Sequence, residues 1–267
     1  MEFKVSVIIP VYNAAAFLEA SVASALSHPE VEEVILVEDG SKDNSLAVCE
    51  TLVENNPVVK LFRHSAGVNK GAGESRNLGI QKATAPFIAF LDSDDVYFAN
   101  RFKTAISMFE KDATLHGTYA QVLMMNEATG KNKLFGITRD VSSQDLFTYI
   151  LRGGYFHTNS LTLRRGALDG LDRLFVQYCW PHEDVELWLR LAFHMKLASI
   201  QEGEPVASYR LHGANNIMTE ASLRSRRRLW ATVFQYFFHK KIGAFNRILI
   251  LKQMLRYRLQ SSPPNNK

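Results

Sequence analysis

Apolar and polar positions switch between two periods along the first hundred residues, and each switch marks an element. Residues 4–11 alternate and then run apolar through Val5, Val7, Ile8 and Ile9, which predicts a strand stopping near Pro10. Phe17, Leu18, Val22 and Leu26 recur at helical spacing, predicting a helix over 14–27 with Asn13 as its cap. Strands over 33–37 and 58–62 and helices over 43–54 and 70–82 follow. The run Phe87, Ile88, Ala89, Phe90 and Leu91 then reads as a buried strand. Strands alternating with helices, with polar clusters at the strand ends, predict a parallel sheet whose ligand crevice lies along those ends.

The pattern is looser beyond residue 100. It predicts a helix over 100–111, a hairpin of 117–125 and 133–137 turning at Ala128, Thr129 and Gly130, and a helix over 146–151 broken by Gly153 and Gly154. A strand over 158–164 comes next. Trp180, Pro181, His182, Glu183 and Asp184 then open a helix in which Val185, Trp188, Leu189 and Ala192 share a face. A last strand over 206–211 leads to His212, two helices separated at Gly243 fill 223–259, and 261–267 reads as a disordered end.

At 267 residues and 46% hydrophobic content, the chain can bury a substantial core. The net charge of +4 hides an asymmetry: from Val206 onward lie 12 of the 31 basic residues but only one of the 27 acids, Glu220. Residues 216–267 are therefore expected to form a basic amphipathic helical tail. It would either pack its aromatic face on the body or lie on an anionic membrane surface. Nothing beyond charge points to nucleic acid, and oligomerisation is left open. No run approaches the roughly 18 apolar residues of a spanning helix, and the first residues lack the basic start of a secretory leader. Cys49 and Cys179 show neither metal spacing nor a disulfide framework. The expected location is cytoplasmic, with peripheral attachment to the inner face of the plasma membrane as the option the tail provides.

Chemistry concentrates at Asp92, Asp94 and Asp95, delivered by the Phe87 strand. Three acids in four residues repel one another, and a divalent cation would neutralise them. Oxygen donors with no Cys or His close in sequence suit Mg²⁺ or Mn²⁺ better than zinc. The plainer alternative is an acidic turn capping the next helix. Glu38, Asp39, Gly40 and Ser41 end the second strand on the same crevice. No G-x-G-x-x-G turn follows the first strand and no G-x-x-x-x-G-K-[ST] occurs, which argues against a dehydrogenase and a P-loop NTPase.

Five segments, SVIIPVYN at 6–13, VEDGSKDNS at 37–45, GAGESRNLGI at 71–80, FLDSDD at 90–95 and HEDVELWLRL at 182–191, together resemble glycosyltransferase family 2 in order and spacing, over residues 4–215. The resemblance implies an α/β fold of GT-A type: a mostly parallel, Rossmann-like sheet flanked by helices, here with a C-terminal helical appendage. It places a nucleotide-binding half over residues 1–100 and an acceptor-binding half over 101–215. The implied reaction is metal-dependent transfer, with inversion, from a nucleotide-sugar donor (a UDP-sugar) to a hydroxyl of a glycan or lipid-linked acceptor.

Carried onto this sequence, the resemblance assigns Glu38 and Asp39 to the base and Arg76 to the nucleotide and its acidic neighbours. Asp92 goes to the ribose or metal, and Asp94 becomes the more direct metal ligand. Asp184, beside Glu183, becomes the general base. Arg210 and His212 fall near the diphosphate or metal, and Pro10, Tyr12, Asn13, Ser93, Trp180 and His182 complete the substrate-binding set. Apolar walls from Trp180 and Trp188 would raise the proton affinity of Asp184. Two alternatives stay open: a non-catalytic nucleotide- or carbohydrate-binding module, and a sugar-phosphate nucleotidyltransferase. The latter would want a glycine-rich basic loop after the first strand, and 11–17 is neither.

Overall fold

The computed structural model describes residues 2–169, 171, 173–176, 179, 181–201, 203–212 and 223–259. Its centre is a seven-stranded sheet, built around the apolar runs that sequence periodicity locates. In chain order these strands are β1 (Val5–Val11), β2 (Val31–Glu38), β3 (Val59–Arg63), β4 (Phe87–Phe90), β5 (Gly117–Tyr119), β8 (Thr162–Arg164) and β9 (Leu197–Ser199), arranged β3-β2-β1-β4-β8-β5-β9. β1, β2, β3 and β4 are mutually parallel, β8 runs antiparallel to both β4 and β5, and β9 is parallel to β5. A smaller sheet joins β6 (Val122–Asn126) antiparallel to β7 (Lys131–Phe135) and parallel to β10 (Ser208–Leu211).

Side chains alternate across β1 and serve two cores. Val7 and Ile9 pack with Leu18 and Val22 of α1 (Leu18–Leu26), Cys49 of α2 (Ser45–Asn55) and Phe109 of α4 (Lys103–Lys111). Ile8 enters the opposite core with Ile80 of α3 (Ala72–Lys82), Phe147 of α5 (Ser143–Leu151) and Trp188 of α6 (Glu183–His194). The mostly parallel sheet covered by helices on both faces is as the sequence predicts.

Several local expectations need correction. Asn13 is not a helix cap: its φ is +50°, a left-handed turn that asparagine tolerates, and its Oδ1 accepts from the Lys42 N–H at 2.8 Å. The helix starts later, at Leu18, because the N–H groups of Ala14 and Ala15 donate to Ser45 Oγ and Asp43 Oδ2 instead. Residues 117–125 do not form one hairpin strand. β5 belongs to the large sheet, and only β6 pairs with β7. The predicted strand over 158–164 begins with a 3₁₀ turn, Thr158–Ser160, before β8. β9 was not foreseen, being three residues long.

The basic tail forms α7 (Leu223–Phe237) and α8 (Ala244–Leu259). Trp230, Val233 and Phe237 are buried in the core shared with α5 and α6, each contributing about 1.5–3 kcal/mol, which fixes α7 to the body. For this face, packing is the outcome. No helix among the described residues is long and apolar enough to cross a membrane. The expected end at 261–267 lies outside the described residues.

Candidate active site

The C-terminal ends of β1, β2 and β4 open onto one crevice, as parallel topology requires. The loops after β1 and β2 are zipped together: the Asn13 N–H donates to Ser41 Oγ at 3.1 Å, and Glu38 accepts from the Ser41 N–H at 2.5 Å and from Arg63 Nε at 2.8 Å. These bonds hold the Glu38 carboxyl below its usual range despite burial. Asp39, 2% exposed, accepts from the Lys70 and Gly71 N–H groups at 2.7 and 2.8 Å and so ties β2 to the start of α3. Burial nonetheless pushes its pKa up. Pro10 is buried within β1, whereas Tyr12 and Asn13 are exposed at the crevice rim.

Beyond β4, each of the three aspartates has its own environment. Asp92 Oδ1 accepts from Arg76 at 2.5 Å, and although burial opposes ionisation, Arg76 keeps this carboxyl below its ordinary value. Asp94 Oδ2 lies 3.0 Å from His212 Nε2, and burial followed by the Asp92 charge raises its proton affinity. Asp95, 1% exposed, accepts from the Arg210 N–H at 2.7 Å, Asn159 Nδ2 at 2.7 Å and Ser208 Oγ at 3.3 Å. Desolvation and the two neighbouring carboxylates push it up to about 8. Asp95 is thus a brace between β4 and β10. Ser93 is buried between the outer pair, and the Arg210 guanidinium lies over the Phe17 ring at 5.8 Å.

Ligand atoms of Asp92, Asp95 and His157 all lie within 4.8 Å of one another, while Asp94 and His212 form a second pair beside them. Oxygen donors joined by imidazole nitrogen, with negative charge only partly offset by Arg76, fit a divalent cation such as Mn²⁺ or Mg²⁺. The Asp95 oxygens are taken up by three protein donors, so the partly exposed Asp92 and Asp94 are the better placed to hold one. His157 and Asn159 escaped the sequence reading. Asn159 Oδ1 accepts from the Asp92 N–H at 3.0 Å while its Nδ2 reaches Asp95, and the His157 ring packs on Tyr209 at 4.5 Å. The available signal was the polar run His157, Thr158, Asn159, Ser160 set before Leu161 and β8.

α6 brings the second carboxylate pair. Asp184 Oδ1 accepts from the Val185 N–H at 2.7 Å, but desolvation, and then the Glu183 charge, push its pKa up to about 7. Glu183 is also raised, mainly by burial, and its Oε2 has no hydrogen-bond partner among the described residues; the same holds for His182 Nε2. Arg76 connects the two halves, since Asp92, Glu183 and Asp184 all strengthen its hold on its proton. Trp180 lies outside the described residues. The neighbouring aromatic wall comes from Trp188, with Phe156 at 4.9 Å and Tyr155 at 5.9 Å.

Solved structures share this architecture. Over 98% of this chain and 74% of theirs, residues 1–349 of TarS from S. aureus, crystallised with UDP-GlcNAc, superpose with a TM-score of 0.74 at 18% identity. The mannosyltransferase PcManGT from Pyrobaculum calidifontis, in complex with GDP-Man and Mn²⁺, matches 98% of this chain and 76% of its own with a TM-score of 0.61 at 15% identity. The sheet and its flanking helices are those of the GT-A glycosyltransferases. The chain belongs to glycosyl transferase family 2, whose family model matches residues 6–169. An uncharacterised glycosyltransferase of Nostoc sp. is 31% identical over 83% of this chain and 69% of its own. The UDP-Glc:alpha-D-GlcNAc-diphosphoundecaprenol beta-1,3-glucosyltransferase WfgD of Escherichia coli is 28% identical over 86% of this chain and 85% of its own.

Proposed function

We propose that this glycosyltransferase moves a sugar from a UDP-sugar to a hydroxyl of a glycan or glycolipid, with inversion, using Asp184 as general base. The carrying observation is the Asp184 environment: a half-buried carboxylate at the start of a helix, beside a second acid, with its pKa pushed up to about 7. A base of that strength is half ionised at neutral pH and still able to take a hydroxyl proton. Asp184 would receive the acceptor proton as the oxygen attacks the anomeric carbon. Arg76 would meanwhile hold Asp92 and the donor side in register with Asp184.

A divalent cation, Mn²⁺ or Mg²⁺, held by Asp92 and Asp94 with His212 and His157 alongside, would supply positive charge for the departing diphosphate. We assign Asp39 and Glu38 to the base side of the crevice on the family likeness, and the UDP-GlcNAc carried by TarS supports a uridine donor. The lipid diphosphate acceptor named for WfgD supports a glycolipid. Retention of both the aspartate cluster and the Glu183 and Asp184 pair favours an enzyme over a binding module. We also assign residues 1–215 to the catalytic unit and 216–267 to an appendage. A thermal-shift screen of nucleotide sugars with and without Mn²⁺, followed by transfer assays, tests the reading. A cation-dependent upward shift with one UDP-sugar is expected; no shift with any donor would overturn it.

A further inference from the structure

α8 is apolar on two opposite sides. On one, Leu249, Ile250 and Met254 enter the core next to α5 and α7, while Gln253 Nε2 donates to the Leu151 carbonyl at 3.2 Å. On the other, Ile248, Leu255 and Leu259 point away from the body and Leu251 lies at the mouth of an apolar groove with Phe238 of the preceding turn; the four are 60, 47, 79 and 39% exposed, in that order. At 3.6 residues per turn these four fall within a sector of about 80°. Arg247 and Arg258 border that sector on one edge, Lys252 and Arg256 on the other, all exposed. Among the described residues, the protein covers only one of these two apolar sides.

Charge selects the occupant. Residues 223–259 contain no Asp or Glu, so two copies meeting through this face would bring basic rims together, whereas an anionic surface neutralises them. Position adds to this. The Tyr155 hydroxyl, its pKa raised first by burial, also feels Tyr257 of α8, Asp184 and Arg226 of α7, whose guanidinium lies 5.8 Å from the Tyr257 ring, so the inward side of the last turns of α8 borders the Asp184 side of the crevice.

We propose that the outward face of α8 lies in the interfacial layer of an anionic bilayer, with Ile248, Leu251, Leu255 and Leu259 among the acyl chains and the flanking arginines and lysines at the lipid phosphates. Resting on the transferase reading, the same placement brings the enzyme to the surface in which lipid-linked acceptors are anchored.

The test is co-sedimentation of the full chain with phosphatidylcholine vesicles, with or without phosphatidylglycerol, at low and high salt. Binding to the anionic vesicles should weaken about tenfold or more in high salt or on neutral vesicles. Ile248→Ser with Leu255→Ser, and separately Lys252→Gln with Arg256→Gln, should each lower it about tenfold or more. Unaltered thermal melting and donor hydrolysis would show that these variants still fold. Recovery in the supernatant under all conditions, equal binding to neutral vesicles, wild-type binding by both variants, or a dimer in sedimentation velocity that these substitutions dissolve would each overturn the proposal. Vesicle binding without any donor turnover would instead sink the transferase reading and leave the docking intact.

Discussion

Arg76 and Asp92 form an ion pair at 2.5 Å, linking α3 to the end of β4 with the arginine side chain almost wholly buried. Breaking one side of such a pair leaves a charge stranded. Arg76→Ala should cost up to about 3 kcal/mol, at the lower edge for a buried pair because Asp92 keeps some solvent. The double variant Arg76→Ala with Asp92→Ala should recover part of that loss in urea unfolding. A double-variant loss equal to the sum of the two single-variant losses would mean the pair is not coupled.

Asp94→Ala should leave the fold intact, since relief of acid repulsion offsets lost contacts, but lower transfer roughly a hundredfold or more and remove Mn²⁺-dependent donor binding. Full activity, or activity unaffected by excess chelator, would refute the metal assignment.

Asp184→Asn keeps the shape but cannot accept a proton, so kcat should fall by about 10²–10⁴ while donor affinity stays near wild type. In the wild type, kcat/KM should rise with pH up to about 7 and then level, and the variant should lose that limb. The stability effect runs the other way. A carboxyl whose folded pKa is raised from 3.8 to about 7 contributes stability that is fully present below the ordinary carboxylate range and is lost as pH rises through 7. Asp184→Asn should therefore be more stable than the wild type at pH 8, with the difference shrinking toward pH 4, as measured by thermal melts.

Gly79 sits where α3 lies against β1, and a Cβ there would overlap Ile8 Cγ2. Gly79→Ala gains roughly 1 kcal/mol in helix propensity but overpacks a closed interface at about 1–3 kcal/mol, so the net effect should be destabilising. A rise in melting temperature would show that the two elements can separate without cost.

The first hundred residues were legible because their strands are apolar runs separated by helices of ordinary length, so that period alone located β1 to β4. The aspartate cluster could be read because charge packed that densely behind a buried strand has few structural uses. The pattern lost its hold where elements shrink to three residues: β5 and β9 carry too few positions to display a period, and their pairing is decided by long-range contacts. His157 and Asn159 were missed for a related reason. Asn159 bonds to residues 49 to 67 positions away, and His157 packs on Tyr209 beside Asp92 and Asp95, which neither spacing nor composition records. Asn13 misled because the same side chain that caps helices also suits a left-handed turn, and only the facing loop at Ser41 and Lys42 decides between them.

Asp95 fastens β10 to the aspartate cluster by accepting from the Arg210 N–H and Ser208 Oγ, and β10 in turn runs parallel along β6. The β6–β7 hairpin is therefore not a free-standing cassette, although it is contiguous in sequence. A chimera that imports this hairpin from another family member must import residues 206–212 as well, or the recipient's aspartate will be left gripping a strand that no longer fits its neighbour. In this scaffold the interchangeable part is split in two, with about seventy residues of host chain between the pieces.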